Sequence, residues 1–151
     1  RIRLATSADI DSLKALLDAS WLTHWAPHVL PASVERYMSE RPAHGYVDAL
    51  WQRFMIAEHD GGVLGMYDLE GGYLHAIHVH PDAIGSGVGR ALMDHAEVGG
   101  ARALDVRVFN QNAIGFYLHR GWREADQIDA FEMGTPTKSI LMVLQKGDQA
   151  G

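Results

Sequence analysis

Apolar positions along this chain follow two rhythms, one of strands and one of helices. Ile2 to Ala5 alternates and predicts a first strand. Thr6-Ser7-Ala8-Asp9 reads as a helix start, and Ile10, Leu13, Leu16 and Leu17 recur at helical spacing to about Trp21. Pro27 and Pro31 interrupt, and Ala32 to Glu40 predicts a second helix; Gly45 to Gln52 fits neither rhythm. Arg53 to Glu58 is a strand, His59-Asp60-Gly61-Gly62 a hairpin turn, and Val63 to Leu69 its partner. Glu70-Gly71-Gly72 turns into the apolar, β-branched run Tyr73 to Val79, which stops at Pro81. Val88, Leu92, Met93 and Ala96 pattern a helix, and Leu104 to Phe109 a further strand. A short helix carries Ala113, Ile114, Phe116, Tyr117 and Leu118; strands follow near Arg123 to Phe131 and Ser139 to Lys146, joined around Gly134 and Pro136. The tail from Gly147 to Gly151 is expected to fray. Consecutive hairpins followed by β-α-β-α-β predict an α+β fold, three-layered in the α/β manner: a mixed, mostly antiparallel sheet of six to seven strands with helices on both faces. No repeat, low-complexity segment or linker divides residues 1–151, so one domain is expected.

The junction between the Tyr73–Val79 strand and the next helix carries the first chemical signal. Gly85, Gly87 and Gly89 occupy every second position where the helical pattern begins at Val88. A strand, a glycine-rich loop and a helix N-terminus line up free backbone N–H groups at the positive end of a helix dipole, which makes an anion site. Side chains at those positions would hold a phosphate away from the backbone. A diphosphate is the natural occupant. A P-loop is excluded because no lysine follows the glycines. A dinucleotide turn ranks second: Asp105 falls where its acidic residue belongs, but it sits early in its strand and the spacing here is G-x-G-x-G.

After the following strand the chain reads NQNAIGFYLHRGW, Asn110 to Trp122. Asn110 stands in N-cap position and Gly121 in helix-terminating position. Together the two motifs resemble the GNAT superfamily of acyl-CoA-dependent N-acetyltransferases, whose pattern is V-x-P, then [QR]-x-x-G-x-[GA], then N-x-x-A-x-x-x-Y-x-x-x-G-[FW]. The counterparts are Val79 and Pro81; Gly87 and Gly89; Asn110, Ala113, Tyr117, Gly121 and Trp122. The family usually has Gln or Arg where this chain has Ile84. That change removes a polar side chain from the turn but no amide. Arg90 is the candidate for the missing positive charge; it reads equally well as a solvated first-turn residue.

The resemblance implies a splayed central sheet whose V-shaped opening admits the pantetheine arm of acetyl-CoA, the co-substrate. It implies diphosphate binding by the backbone of Ile84, Gly85, Ser86, Gly87, Val88, Gly89 and Arg90. Backbone groups of Ile77, His78 and Val79 would pair with pantetheine as if it were another strand, with the Ile77 amide polarising the thioester. Asn110 would contact pantetheine and cap its helix. Tyr117 would be the general acid for the departing thiolate, its alternative being a core tyrosine beside Phe116. His75 is the candidate amine base, because a histidine can exchange a proton near neutral pH; its alternative is a strand histidine packed against Tyr73. The acceptor pocket is expected from the first two helices and the last hairpin. There Trp21, His24, Trp25 and His28 form an aromatic cluster that could shape a pocket, although a helix-packing stripe is the better reading of Trp21 and Trp25.

Composition narrows the alternatives. The chain has no cysteine, so a thiol nucleophile and thiolate metal sites are excluded. The nine histidines invite a metal reading, but no H-E-x-x-H occurs. On regular alternation His78 and His80 share one strand face and His75 takes the other. A net charge of −6 argues against nucleic acid and weakly favours an amine. The absence of a long apolar run argues against a membrane span. The expectation is a cytoplasmic acetyltransferase, with room for a homodimer, acting on a primary amine of a small molecule or of a peptide or protein. A non-catalytic acyl-CoA-binding module is the alternative, and a nucleotide-binding α/β domain the third reading.

Overall fold

The computed structural model describes residues 1–145; the Lys146 end of the last expected strand and the expected frayed tail lie outside the described residues. In chain order the elements are β1 (Ile2–Leu4), α1 (Ile10–His24), α2 (Pro31–Glu40), α3 (Pro42–Leu50), β2 (Phe54–His59), β3 (Gly62–Glu70) and β4 (Tyr73–Val79). They continue with α4 (Val88–Val98), β5 (Ala103–Arg107), α5 (Gln111–His119), β6 (Arg123–Glu132) and β7 (Thr135–Val143). The strands form one sheet in the order β1-β2-β3-β4-β5-β7-β6. Only β4 and β5 run parallel; the other neighbours are antiparallel. The mixed sheet of the sequence reading is therefore present with seven strands.

Two apolar layers sandwich the sheet. Leu13, Leu16 and Leu17 of α1 and Val47 of α3 pack on Phe54, Ile56 and Met66. On the opposite face Leu92, Met93 and Ala96 of α4 and Ile114 and Tyr117 of α5 pack on Tyr67, Leu74, Leu104 and Met142. These are the residues the helical and alternating periods place inward.

The ends of α1 and α5 follow local chemistry. Asp9 accepts from the Thr6 amide at 2.7 Å and is braced by Arg3 at 2.9 and 3.0 Å, after which α1 runs three residues past Trp21. α5 stops at Gly121, where φ is +97°; the Gly121 amide donates to Leu118 and the Trp122 amide to Tyr117, satisfying carbonyls at the helix end.

The segment that fitted neither rhythm is α3. Pro42 stands in its first turn, where a missing N–H costs nothing, while Gly45 in its middle weakens the sequence signal. Arg41, at φ +47°, separates α3 from α2 and donates to Asp18 at 2.9 Å.

A second correction concerns β4. Asp68 pairs with Ala76 and Leu69 with Leu74, so His75 is the extra residue of a β-bulge. The bulge breaks the alternation assumed from sequence. Leu74 joins the α4–α5 layer and Ala76 the α1–α3 layer. His75 therefore lines the same small cavity as His78, on the α1 side, rather than the opposite face.

Candidate active site

The sheet opens where β4 and β5 part. They are paired only at Tyr73–Ala103 and Leu74–Leu104, yet β4 continues to Val79 and β5 to Arg107. Beyond Leu74 the edge of β4 that faces β5 has no strand partner among the described residues. A cleft of 810 Å³ fills the gap. Its sides are Leu74 to Val79 of β4 and Leu104 to Arg107 of β5. Its rim is formed by the Ala83–Arg90 loop, by Asn110, Phe116 and Tyr117 beside α5, and by Ser20, His24 and Trp25 of α1.

The glycine loop holds a backbone shape that few other residues allow. Gly85 and Gly87 have φ of +85° and +94°, a region L side chains rarely adopt. A Cβ at either would meet nothing within 4 Å, so conformation, not crowding, is what requires glycine there. The Ile84 and Ser86 amides are already turned inward, to the carbonyls of Pro81 at 3.4 Å and Ala83 at 3.1 Å. This narrows the expected set of phosphate-binding amides. Ala91 is the first α4 residue whose amide reaches an intrahelical carbonyl, Gly87 at 3.0 Å. The amides of Gly87, Val88, Gly89 and Arg90 thus precede the ladder. Ile84 is 54% exposed, and Arg90 is exposed with no ion pair to a described residue.

One glycine outside both motifs matters more sterically. A Cβ on Gly65 would lie 2.8 Å from Leu92 Cδ1 and 2.9 Å from the His78 carbonyl oxygen. Gly65 lets α4 sit directly against β3 and β4 and so fixes the height of the loop above the cleft. Nothing in the sequence marked it.

The candidate side chains meet around this cleft. Tyr117 is 7% exposed, with its ring between Phe116 and Trp122, and burial pushes its hydroxyl up to about 12. Asn110 lines the cleft, but its side chain makes no capping hydrogen bond. Its ψ of 65° is not the extended backbone that lets an N-cap side chain fold back over the first amides, so that half of the expectation fails. His75 lies against Tyr73, ring centroids 4.8 Å apart, with Nε2 3.7 Å from Glu70 Oε1. Glu70 in turn pairs with Arg53 at 3.2 Å, and Arg53 grips the fully buried Asp68 at 2.7 and 3.0 Å.

His78 was expected to contribute backbone only, but its side chain also faces the cleft. Nδ1 is 2.8 Å from Ser20 Oγ, and the ring lies 5.5 Å from that of Trp25. Burial, with His24 nearby, lowers its pKa to about 4. His80 instead closes a turn, Nδ1 accepting from the Asp82 amide at 3.1 Å. Asp105 accepts from the Tyr73 hydroxyl, which occupies the carboxylate on which the dinucleotide reading depended. Among the described residues no cluster of His, Asp and Glu suits a metal ion.

The β6–β7 hairpin roofs the far end of the cleft. Thr135 Oγ1 accepts from the Leu30 amide at 3.0 Å and lies 2.6 Å from Ser33 Oγ. Glu132 accepts from Trp21 Nε1 at 2.9 Å and from Arg107 Nε at 2.8 Å. Trp21 stacks on Tyr37 at 3.9 Å, and Tyr37 donates to Asp18 at 2.8 Å. Glu132 is the residue sequence reasoning missed. Its only mark is an acidic side chain beside the Gly134 turn. His28, grouped with Trp21, His24 and Trp25 by sequence, stacks instead on Phe109 at 4.9 Å.

A splayed seven-stranded sheet with free helix-end amides at the mouth of its opening has the layout that the sequence resemblance implies. Residues 51–124 match the Acetyltransferase (GNAT) domain. Peptidyl-lysine N-acetyltransferase YjaB of Escherichia coli (strain K12) is 28% identical over 128 residues, covering 84% of this chain and 77% of that protein. Its apo solution structure superposes with a TM-score of 0.77 at 22% identity, covering 95% of each chain. Peptidyl-lysine N-acetyltransferase YiaC of the same organism is 33% identical over 95 residues, 57% of this chain and 65% of that one. The PaiA N-acetyltransferase of Thermoplasma acidophilum, solved in complex with coenzyme A, superposes with a TM-score of 0.71 at 15% identity over 96% of this chain and 98% of that one. The chain belongs to the GNAT superfamily and is an N-acetyltransferase, a family that uses acetyl-CoA as acyl donor. No helix among the described residues is long and apolar enough to cross a membrane.

Proposed function

We propose that this chain transfers the acetyl group of acetyl-CoA to the ε-amine of a lysine in a peptide or protein, by direct attack within a ternary complex. The observation that carries the reading is the splay itself. It leaves the β4 edge from Ala76 to Val79 open, directly below the free amides of the glycine loop. The lysine acceptor is taken from the names of YjaB and YiaC. Direct attack fits a sequence with no cysteine to carry the acyl group.

In this reading the amides of Gly85 and of Gly87 to Arg90 hold the diphosphate. Backbone groups of Ile77, His78 and Val79 pair with pantetheine, and the Ile77 amide polarises the thioester carbonyl. The Asn110 side chain, free of capping duty, steadies the same arm. As the amine attacks, a C–N bond forms and the C–S bond breaks. His75, backed by Glu70, takes a proton from the nitrogen, and the Tyr117 hydroxyl meets the departing sulfur. The reaction is placed in the cytoplasm with acetyl-CoA and an amine as partners and with neither nucleic acid nor membrane; the net charge of −6 supports the former exclusion. Light scattering distinguishes monomer from homodimer.

The test is incubation with acetyl-CoA and a lysine-containing peptide, followed by mass spectrometry and thiol release. An acetylated peptide with stoichiometric free CoA is expected. Tight CoA binding with an unchanged peptide mass would favour the acyl-CoA-binding module instead.

A further inference from the structure

A second cavity of 280 Å³ lies on the α1–α3 side of β4, its outer end at the exposed Pro42. Its walls include Trp21, Tyr37 and Tyr46. At its inner end His75, Ala76, His78 and Glu132 line both this cavity and the main cleft, so the two spaces meet there, beside the proposed base. Glu132 is the one carboxylate lining it among the described residues.

We propose that this second cavity is the binding site for the alkylammonium side chain of the acceptor, with Glu132 receiving the charged amine where the two cavities join. The inference rests on the lysine-acceptor reading and gives it a location. A lysine side chain is an apolar stem with a charged tip. The aromatic walls suit the stem, and indole and phenol faces attract a cation besides. The carboxylate at the end suits the tip.

Glu132 is held for that task. Trp21 Nε1 donates to one oxygen and Arg107 Nε to the other, at 2.9 and 2.8 Å. A carboxylate accepts about four hydrogen bonds, so lone pairs remain on both oxygens. Arg107 is itself fixed by Ser139 Oγ and the Phe131 carbonyl at 2.5 and 3.1 Å. Its charge offsets part of the carboxylate's, so an amine at Glu132 is held without being locked into the unreactive ammonium form. The Trp21 donor is fixed in turn by its stack on Tyr37 and by the Tyr37 hydrogen bond to Asp18. His78, on the shared wall, adds no competing positive charge, because burial keeps it neutral.

The experiment measures binding, not turnover. CoA-loaded protein is titrated with Nα-acetyl-lysine methylamide and with the norleucine analogue, which keeps the stem and lacks the amine. Wild type is expected to prefer the lysine compound at least tenfold. In Glu132→Gln, which keeps the side chain's size but loses its charge and exchanges one acceptor oxygen for an amide donor, the preference should fall to within about threefold of unity while CoA still binds. Equal affinity of wild type for the two compounds, or no detectable binding of either, overturns the proposal without recourse to any variant. An undiminished lysine preference in Glu132→Gln overturns it as well. Thiol release with a lysine peptide is read separately: its absence from wild type counts against the proposed activity, while the titration still decides the ammonium site.

Discussion

Tyr117→Phe removes one oxygen and leaves a ring that already packs between Phe116 and Trp122 at 5.6 and 6.2 Å. Among the described residues the hydroxyl has no hydrogen-bond partner, so folding stability should change by less than about 1 kcal/mol. The effect on turnover follows from how strong an acid this phenol is. Burial pushes it up to about 12. Burial raises a thiol formed beside it in the same direction, and a phenol is already the weaker acid of the two in water (about 10 against about 8.5), so full transfer of the phenolic proton to the thiolate is uphill. Completed protonation therefore does not drive departure of the sulfur. What the hydroxyl offers is a hydrogen bond to the charge developing there. Bonds to charged groups contribute about 1.5–3 kcal/mol net, which corresponds to about 10–150-fold in rate.

Steady-state thiol release at saturating acetyl-CoA and peptide should therefore show kcat reduced by about 10–150-fold in Tyr117→Phe. The CoA dissociation constant should stay within about twofold, because the interaction arises only as the bond breaks. The neutral phenol is the active form and its pKa is raised, so Tyr117 should impose no falling limb on the pH–rate curve below about pH 11. A loss smaller than threefold would make Tyr117 a packing residue. A falling limb well below pH 11 that disappears in the variant would refute the reasoning from burial.

Four further outcomes follow from the same geometry. Gly87→Glu, which forces a side chain into φ +94° and adds a negative charge at the helix end, should weaken acetyl-CoA at least tenfold by calorimetry; unchanged affinity would remove the loop from the site. His75→Ala should lower kcat at least about tenfold with CoA affinity retained, whereas His24→Ala and His80→Ala should not; an unchanged kcat would return the base to Glu70, Tyr73 or bulk water. Gly65→Ala, crowded by Leu92 and the His78 carbonyl, should cost about 1–3 kcal/mol in urea unfolding and also weaken CoA, because α4 carries the loop; a cost below about 0.5 kcal/mol would mean that the contact relaxes freely. His78 is held below the ordinary histidine value of about 6.5, so its contribution is present above that pH and lost as pH falls toward about 4; His78→Gln should flatten that part of the stability curve, by at most about 3 kcal/mol, and parallel curves would refute the shift.

The local geometry of short stretches of chain was legible in the sequence. The loop from Ile84 to Arg90 announces itself because positive φ and free helix-end amides are local properties, written in glycines and in the start of a helical period. Tyr117 and Trp122 were legible for the same reason, sharing one short helix and its Gly121 stop. The bulge at His75 was not, because it arises from the register of β3 on β4 and no residue type demands it. Asn110 misled as a cap because residue preference does not fix ψ. Glu132 is separated from its partners Trp21 and Arg107 by 111 and 25 residues, so only the fold reveals that they form one wall.

Two sets of contacts hold the opening apart. On one side Gly65 brings α4 against β3 and β4, committing β4 to its antiparallel partner through Val79. On the other, Arg107 at the end of β5 is bound to Glu132, Ser139 and the Phe131 carbonyl, all on the β6–β7 hairpin. That hairpin is fastened to Leu30 and Ser33 by Thr135 and to Trp21 by Glu132. Neither strand can approach the other without breaking one of these sets, so the β4 edge beyond Leu74 stays without a strand partner. An unpaired strand edge invites a hydrogen-bonding ligand of extended shape. The contact that keeps β5 away, Arg107 with Glu132, also fixes the carboxylate at the inner end of the second cavity. Separation of the strands and presentation of the amine-binding group thus have a common structural cause, and Arg107→Met should loosen both: weaker acetyl-CoA binding together with a reduced preference for lysine over norleucine.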